Sequence, residues 1–134
     1  MYHIIICDRD SFFVEQFYSK LKQVTQNLFI ECSIIQCKEA EQVKEILLDE
    51  PVNLLFLGVE LEKSQGFELG KYIREYLLDF HMQIVYVSEK VEYAMQLFET
   101  MPFDFLLKSV FEEKLQSTME RFLKVHHLGC WYIQ

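Results

Sequence analysis

Short β-branched runs and helical-period stretches alternate along this chain, and that alternation limits its fold more than any other property. Tyr2 to Cys7 is too short and too continuously apolar for an amphipathic helix, so it reads as a strand. After Asp8-Arg9-Asp10 the spacing turns helical, with Val14, Phe17, Leu21, Val24 and Leu28 three and four apart. Phe29 to Gln36 alternates loosely, with Glu31 and Ser33 on one face, as an edge strand with one solvated side would. Ala40, Val43, Ile46 and Leu47 trace a second helix that stops before Pro51. Val52 to Leu57 is apolar almost throughout, the pattern of a central parallel strand covered on both faces.

The rhythm continues to the end of the domain. Phe67, Gly70, Ile73 and Leu77 carry a third helix, and Ile84 to Val87 a fourth strand. Val91, Ala94, Met95 and Phe98 mark a short fourth helix, and Phe103 to Leu107 a fifth strand. Phe111, Leu115, Met119 and Phe122 lie along a fifth helix, with Ser109 and Glu112 spaced as a capping box at its start. Five strands alternating with five helices over short connections predict an α/β domain: a doubly wound, five-stranded parallel sheet with helices on both faces. With 134 residues, 51% of them apolar, the chain can fill one such core, which excludes disorder and a disulfide-stapled miniprotein.

A net charge of −8 argues against a basic nucleic-acid-binding face and against steering toward anionic membranes. No apolar run approaches the roughly 18 residues of a membrane span, and the N-terminus lacks a signal peptide's flanks. The expected location is the cytoplasm. The four cysteines then read as reduced thiols, with Cys32 and Cys37 on opposite faces of a regular strand. His3, His81, His126 and His127 form no metal-binding spacing.

In a doubly wound sheet, ligands bind outside the carboxyl ends of the strands. Those ends carry Asp8, Arg9 and Asp10, then Gly58, Ser88 and Lys108. An acidic cluster, a hydroxyl and a lysine converging on one crevice suit a cation and a phosphoryl group. Plainer roles stand beside that one. Asp10 could cap the first helix, Ser88 the fourth and Ser109 the fifth, while polar strand ends simply meet water.

The runs IIICDRD, VNLLFLGVEL with QGFELGKYIRE, IVYVSE and FDFLLKSV resemble the successive landmarks of a response-regulator receiver domain. The resemblance is to receivers of LytTR-type regulators, the LytR/AgrA class, and covers residues 1–125 in order and spacing. It implies the flavodoxin-like (CheY-like) sheet order 2-1-3-4-5. It also implies self-phosphorylation of an aspartate at the end of strand three, from a phospho-histidine kinase and with Mg²⁺. By the same resemblance the phosphoacceptor position falls on Gly58, which offers no carboxylate nucleophile. The acidic pair falls on Asp8 and Arg9, so only its first member is present. Mg²⁺ would be left with Asp8 and the backbone carbonyl of Glu60, so its binding is expected to be weak or lost, and no cofactor is expected. Ser88 matches the phosphate-gripping hydroxyl, Lys108 the family lysine, and Phe105 the switch aromatic, although Phe105 also reads as plain core. Ser109 replaces the proline that usually follows the lysine, which predicts a trans bond there.

The expectation is therefore a pseudo-receiver, not an enzyme, with a vestigial pocket of Asp8, Arg9, Asp10, Gly58, Glu60, Ser88 and Lys108. Arg9 is expected to pair with Asp8 or Asp10 and, with Lys108, to occupy the crevice in place of a metal; the alternative is Arg9 in solvent. The partner would be another protein or a second copy, bound through helix 4, strand 5 and helix 5. That face would draw on Val91, Tyr93, Gln96, Leu97 and the exposed side of residues 111–124. Residues 126–134 would be an apolar tail or the start of an absent C-terminal output domain, the only part expected to touch DNA. The alternatives are a stand-alone adaptor, or a receiver phosphorylated on another carboxylate such as Glu60 or Asp10. The acidic surplus is placed on helix surfaces (Glu39, Glu41, Glu45, Glu112, Glu113), leaving the crevice nearly neutral.

Overall fold

The computed structural model describes residues 1–133, and all of their side chains except those of Tyr93 and residues 127–133. Five strands, β1 (Tyr2–Cys7), β2 (Cys32–Cys37), β3 (Leu54–Gly58), β4 (Gln83–Ser88) and β5 (Asp104–Leu107), form one parallel sheet in the order β2-β1-β3-β4-β5. This is the expected fold. β3 is buried along its whole length, which explains why its sequence shows no alternation.

Five helices cover the sheet: α1 (Ser11–Asn27), α2 (Ala40–Asp49), α3 (Gly66–Lys71), α4 (Ala94–Leu97) and α5 (Phe111–Ile133). The sheet divides the core in two. On one face Phe13, Val14, Phe17 and Leu21 of α1 meet Phe111, Leu115, Met119 and Phe122 of α5 over Ile4, Ile6, Leu54 and Phe56. Phe17 stacks on Phe111, with ring centroids 5.1 Å apart. On the other face α2, α3 and α4 pack over Ile5, Cys7, Leu55, Leu57 and Tyr86. Cys32 borders the first core and Cys37 lies in the second, so the two thiols do face opposite sides. Cys7, Cys32 and Cys37 are free; Cys130 lies outside the described side chains.

The chain departs from its sequence pattern at several element ends. β2 starts at Cys32 rather than Phe29, because α1 ends in a Schellman turn: Phe29 N–H donates to Gln26 C=O and Ile30 N–H to Thr25 C=O. Phe29 takes the left-handed position (φ 57°) and is 95% exposed. After Lys71 the third helix widens into a π-helical turn, Tyr72–Tyr76, and Leu78 also has positive φ (54°). α4 is one turn of α-helix between two 3₁₀ turns, Val91–Tyr93 and Phe98–Thr100. Leu97, expected on the docking face, is 1% exposed and belongs to the core instead. Val91, Met95 and Phe98 point outward. α5 opens at Phe111, so Val110 precedes it; Val110 C=O accepts from Glu113 N–H, and the Ser109–Glu112 box is out of register. The Lys108–Ser109 bond is trans.

One buried side chain ties α4 to the rest. The Arg74 guanidinium donates to four carbonyls: Thr100 (2.8 Å), Asp79 (2.8 Å), Met82 (2.7 Å) and Met101 (3.2 Å). Beside it the Tyr86 and Thr100 hydroxyls are 2.7 Å apart, and the Thr100 hydroxyl donates to Leu97 C=O. α5 continues in backbone through Ile133, and His126 packs edge-on against Tyr2. The packing of the apolar side chains beyond His126 lies outside the described residues.

Candidate functional site

The parallel order brings the carboxyl ends of β1, β3, β4 and β5 to one rim, and the expected residues gather there. Asp8, Arg9, Asp10, Glu60, Ser88 and Lys108 line a crevice of about 90 Å³, together with Val59, Val87, Glu89 and Lys90. That is well below the 300–1,000 Å³ or so of ordinary small-molecule sites.

Asp8 governs the arrangement. Its N–H donates to Cys37 C=O, and its side chain turns inward to 1% exposure. There the carboxylate accepts from Asp10 N–H (2.9 Å) and pairs with Lys108 Nζ at 3.0 and 3.1 Å. Burial raises the Asp8 pKa, and the Lys108 and Asp10 contacts do not fully offset it. Lys108 is held in turn, because its ammonium stands 4.5 Å above the Phe13 ring and its N–H donates to Ser88 C=O.

The Asp8 carboxylate occupies space that any side chain at position 58 would need. A Cβ on Gly58 would lie 2.8 Å from Asp8 Cγ and closer still to Oδ2. Among the described residues no glycine has positive φ, so the backbone does not demand glycine at 58; the room taken by Asp8 does. Gly66 closes the other side, since a Cβ there would run into the Gly58 carbonyl, and its N–H donates to Val59 C=O.

Arg9 pairs with neither Asp8 nor Asp10. Its guanidinium reaches across the mouth of the crevice to the Glu60 side chain (2.6 Å), with both partners exposed. Lys108 alone takes the interior place. This corrects the expectation for Arg9: the arginine lines the mouth of the crevice, neither filling its interior in place of a metal nor loose in solvent. Asp10 caps α1, accepting from Phe12 and Phe13 N–H. The Ser88 hydroxyl accepts from Lys90 N–H (3.1 Å) and thus shapes the turn after β4 rather than capping a helix. Phe105 is half-buried against the α2–α4 core, on the other face from Leu106.

The residues present do not fit Mg²⁺. Of the side-chain oxygens, the Asp8 carboxylate already carries an ammonium, Glu60 carries Arg9, and Asp10 is turned to the helix cap. A hard divalent ion needs several free oxygens in near-octahedral order. Among the described residues no group of three or more His, Cys, Asp or Glu is placed to hold a metal, and no helix is long and apolar enough to cross a membrane. The lining sets four acids (Asp8, Asp10, Glu60, Glu89) against three bases (Arg9, Lys90, Lys108), so the crevice is nearly neutral, as expected.

No protein-family model matches the chain. Among the solved structures it superimposes on are response-regulator receivers. The response regulatory domain of protein mrkE from Klebsiella pneumoniae matches with a TM-score of 0.75 at 20% identity, over 98% of this chain and 99% of that one. A CheY-like receiver domain protein from Methanospirillum hungatei matches with 0.75 at 18%, over 96% and 98%. The fold is that of a response-regulator receiver domain. In sequence the chain is similar to the sensory transduction proteins LytT of Bacillus subtilis (26% identity over 94% of this chain) and of Oceanobacillus iheyensis (29% over 91%). LytR of Streptococcus agalactiae is 24% identical over 93%. Fold and sequence thus both liken the chain to the receiver domains of two-component response regulators, with LytT and LytR among its relatives. It spans about half the length of those relatives (50%, 48% and 49%).

The sequence places these residues on one rim and does not show how they pair. Nor does it show the role of Arg74 or the Tyr86–Thr100 contact. The available signal was an arginine placed among apolar residues on a helix's inner face, at Ile73-Arg74.

Proposed function

We propose that this chain is a pseudo-receiver, a receiver fold that signals by protein–protein contact without accepting a phosphoryl group. One observation carries the reading: the Asp8 carboxylate, held by Lys108, fills the volume above Gly58 where the family's acceptor would stand. With Asp8 and Lys108 satisfying each other, the pocket rests in a single charge-compensated state. Output then depends on which surface is offered rather than on chemistry in the crevice. Val91, Met95, Gln96 and Phe98 offer an exposed face beside β5 and α5 that suits docking or dimerisation. Tyr93, placed on this face from sequence, lies outside the described side chains.

The likeness to LytT and LytR supports a cytoplasmic regulator of transcription, with any DNA contact made by protein beyond this receiver rather than by its acidic surface. The test is incubation with acetyl phosphate and Mg²⁺ followed by intact-mass measurement. The expected result is no phosphoryl adduct on the natural chain and none on Gly58→Asp, whose Asp8, Arg9 and Lys108 are unchanged. An adduct on the natural chain, on Asp10 or Glu60 for instance, would overturn the proposal.

A further inference from the structure

We infer that the end of the molecule opposite the crevice, where α3 turns into β4, is a docking site for a basic amphipathic segment of a partner protein. This goes beyond the pocket and its state, because it involves the amino-terminal rim of the sheet.

The first observation is an apolar cluster that the fold turns outward. Tyr76, Leu77, Leu78 and Phe80 fall within five residues, and all four are exposed. Contiguous large apolar side chains in water are uncommon on a monomer's surface and mark places where something binds. The segment is also held in a form that leucine disfavours, since Leu78 has φ 54°.

Its anchors make it rigid rather than slack. Arg74 donates to Asp79 C=O and Met82 C=O from beneath. Asp79 N–H returns to Ile73 C=O, and the Asp79 carboxylate accepts from His81 and Met82 N–H at 2.9 and 3.0 Å. Leu77 N–H donates five residues back to Tyr72 C=O, and Tyr76 stacks on Tyr72 with ring centroids 5.0 Å apart. A preformed apolar surface binds without first losing the entropy of a loose loop.

Charge decides what kind of partner fits. The neighbouring segment is the end of α2 and its connection to β3, joined to this one by Gln83 N–H donating to Asn53 C=O. Residues 48–53 and 75–83 hold Asp49, Glu50, Glu75 and Asp79 and no lysine or arginine; Lys71, 3.8 Å from Glu75, and Lys44, 4.3 Å above the Tyr72 ring, border them and leave the acids in excess. The nearby Arg74 is buried and committed to carbonyls. α2 and the π-helical turn both end here, so two sets of helix carbonyls add negative potential. An apolar cluster with an acidic rim is complementary to apolar anchors flanked by lysine or arginine.

The test uses the whole 134-residue chain and two short helical peptides with the same leucine and phenylalanine face. One carries lysines on its other face, the other glutamates. Fluorescence anisotropy should show saturable binding of the lysine peptide, about tenfold or more tighter than the glutamate peptide, and weakening with added salt. Leu78→Ser with Phe80→Ser should abolish that binding, and Asp49→Lys with Glu75→Lys should weaken it, all with an unchanged thermal midpoint. Equal binding of both peptides, binding that survives the serine substitutions, or no binding would overturn the proposal. So would a concentration-dependent dimer of this chain that the serine substitutions dissolve, because a second copy would then be the occupant.

Discussion

Replacing Gly58 by alanine asks whether Asp8 truly owns the space above β3. The new methyl would sit 2.8 Å from Asp8 Cγ and 3.2 Å from its Cβ, so a small slide of the carboxylate is not enough and the side chain must change rotamer. It then forfeits Lys108 Nζ at 3.0 Å and Asp10 N–H at 2.9 Å. Hydrogen bonds to a charged group are worth about 1.5–3 kcal/mol each, while returning a carboxylate to water gives back several kcal/mol, so the net loss should be about 1–3 kcal/mol. In an Asp8→Ala background the carboxylate is gone and only the 3.2 Å contact with the residue-8 Cβ is left, so the same Gly58→Ala change should fall within about 0.5–1 kcal/mol of neutral. The two substitutions should therefore couple by about 1–3 kcal/mol in a double-mutant cycle read from urea unfolding of all four proteins. Equal cost in both backgrounds would show that Asp8 does not occupy that volume. A cost-free Gly58→Ala in the natural chain would show the carboxylate free to leave, and would remove the main support for a closed pocket.

Three further outcomes follow from features of the same molecule. Because burial raises the Asp8 pKa, the folded state holds that proton more tightly than the unfolded chain; stability should fall as pH rises from about 3.9 through the raised folded value, the reverse of an ordinary paired carboxylate. Asp8→Asn should lack this component, so the difference between the two unfolding midpoints across acidic pH isolates it; identical pH profiles would count against the assignment. Arg74→Met should leave four carbonyls without their donor and cost about 3 kcal/mol or more, with Arg74→Lys recovering only part because an ammonium lacks the guanidinium's fork. Hydrogen exchange should report the loss first in the 3₁₀ turn Phe98–Thr100. Phe29→Gly should stabilise the protein by roughly 0.5–1 kcal/mol, since it relieves a left-handed phenylalanine whose ring is almost wholly in water and incurs only part of that gain as added chain entropy. A destabilised Phe29→Gly in thermal unfolding would contradict this.

The fold was legible because burial on two faces writes itself plainly into sequence. VNLLFL has no alternation since both its sides are covered, and α1 shows its stripe since only one side is. The ends were less legible. Phe29 sits where a Schellman turn ordinarily takes glycine, so the apolar pattern seemed to run unbroken into β2. In the α4 region the change from 3₁₀ to α and back shifts the helical phase, which sends Leu97 inward and leaves Met95 and Phe98 outside. At the site, sequence placed Asp8, Arg9, Gly58, Ser88 and Lys108 on one rim because strand ends can be counted. It could not choose the partner of Asp8. Arg9 is the next residue along the chain, yet successive side chains leave a strand in opposite directions; Lys108 is 100 positions away and comes from β5 on the same side. The use of the space above Gly58 is a matter of rotamer, and no spacing rule encodes it.

The division of the core by the sheet has a consequence for the order in which the protein can be completed. The α2–α4 face is built from residues that lie between β1 and β5, so it can close once β4 and the α4 segment have emerged during synthesis. The other face pairs α1 with α5, the domain's first and last helices. Until Phe111, Leu115, Met119 and Phe122 arrive, Phe13, Phe17 and Leu21 have only the sheet for cover, with Phe17 against Phe56. A nascent chain halted before α5 would therefore display a half-covered aromatic stripe, the kind of surface that chaperones hold and that aggregates when they do not.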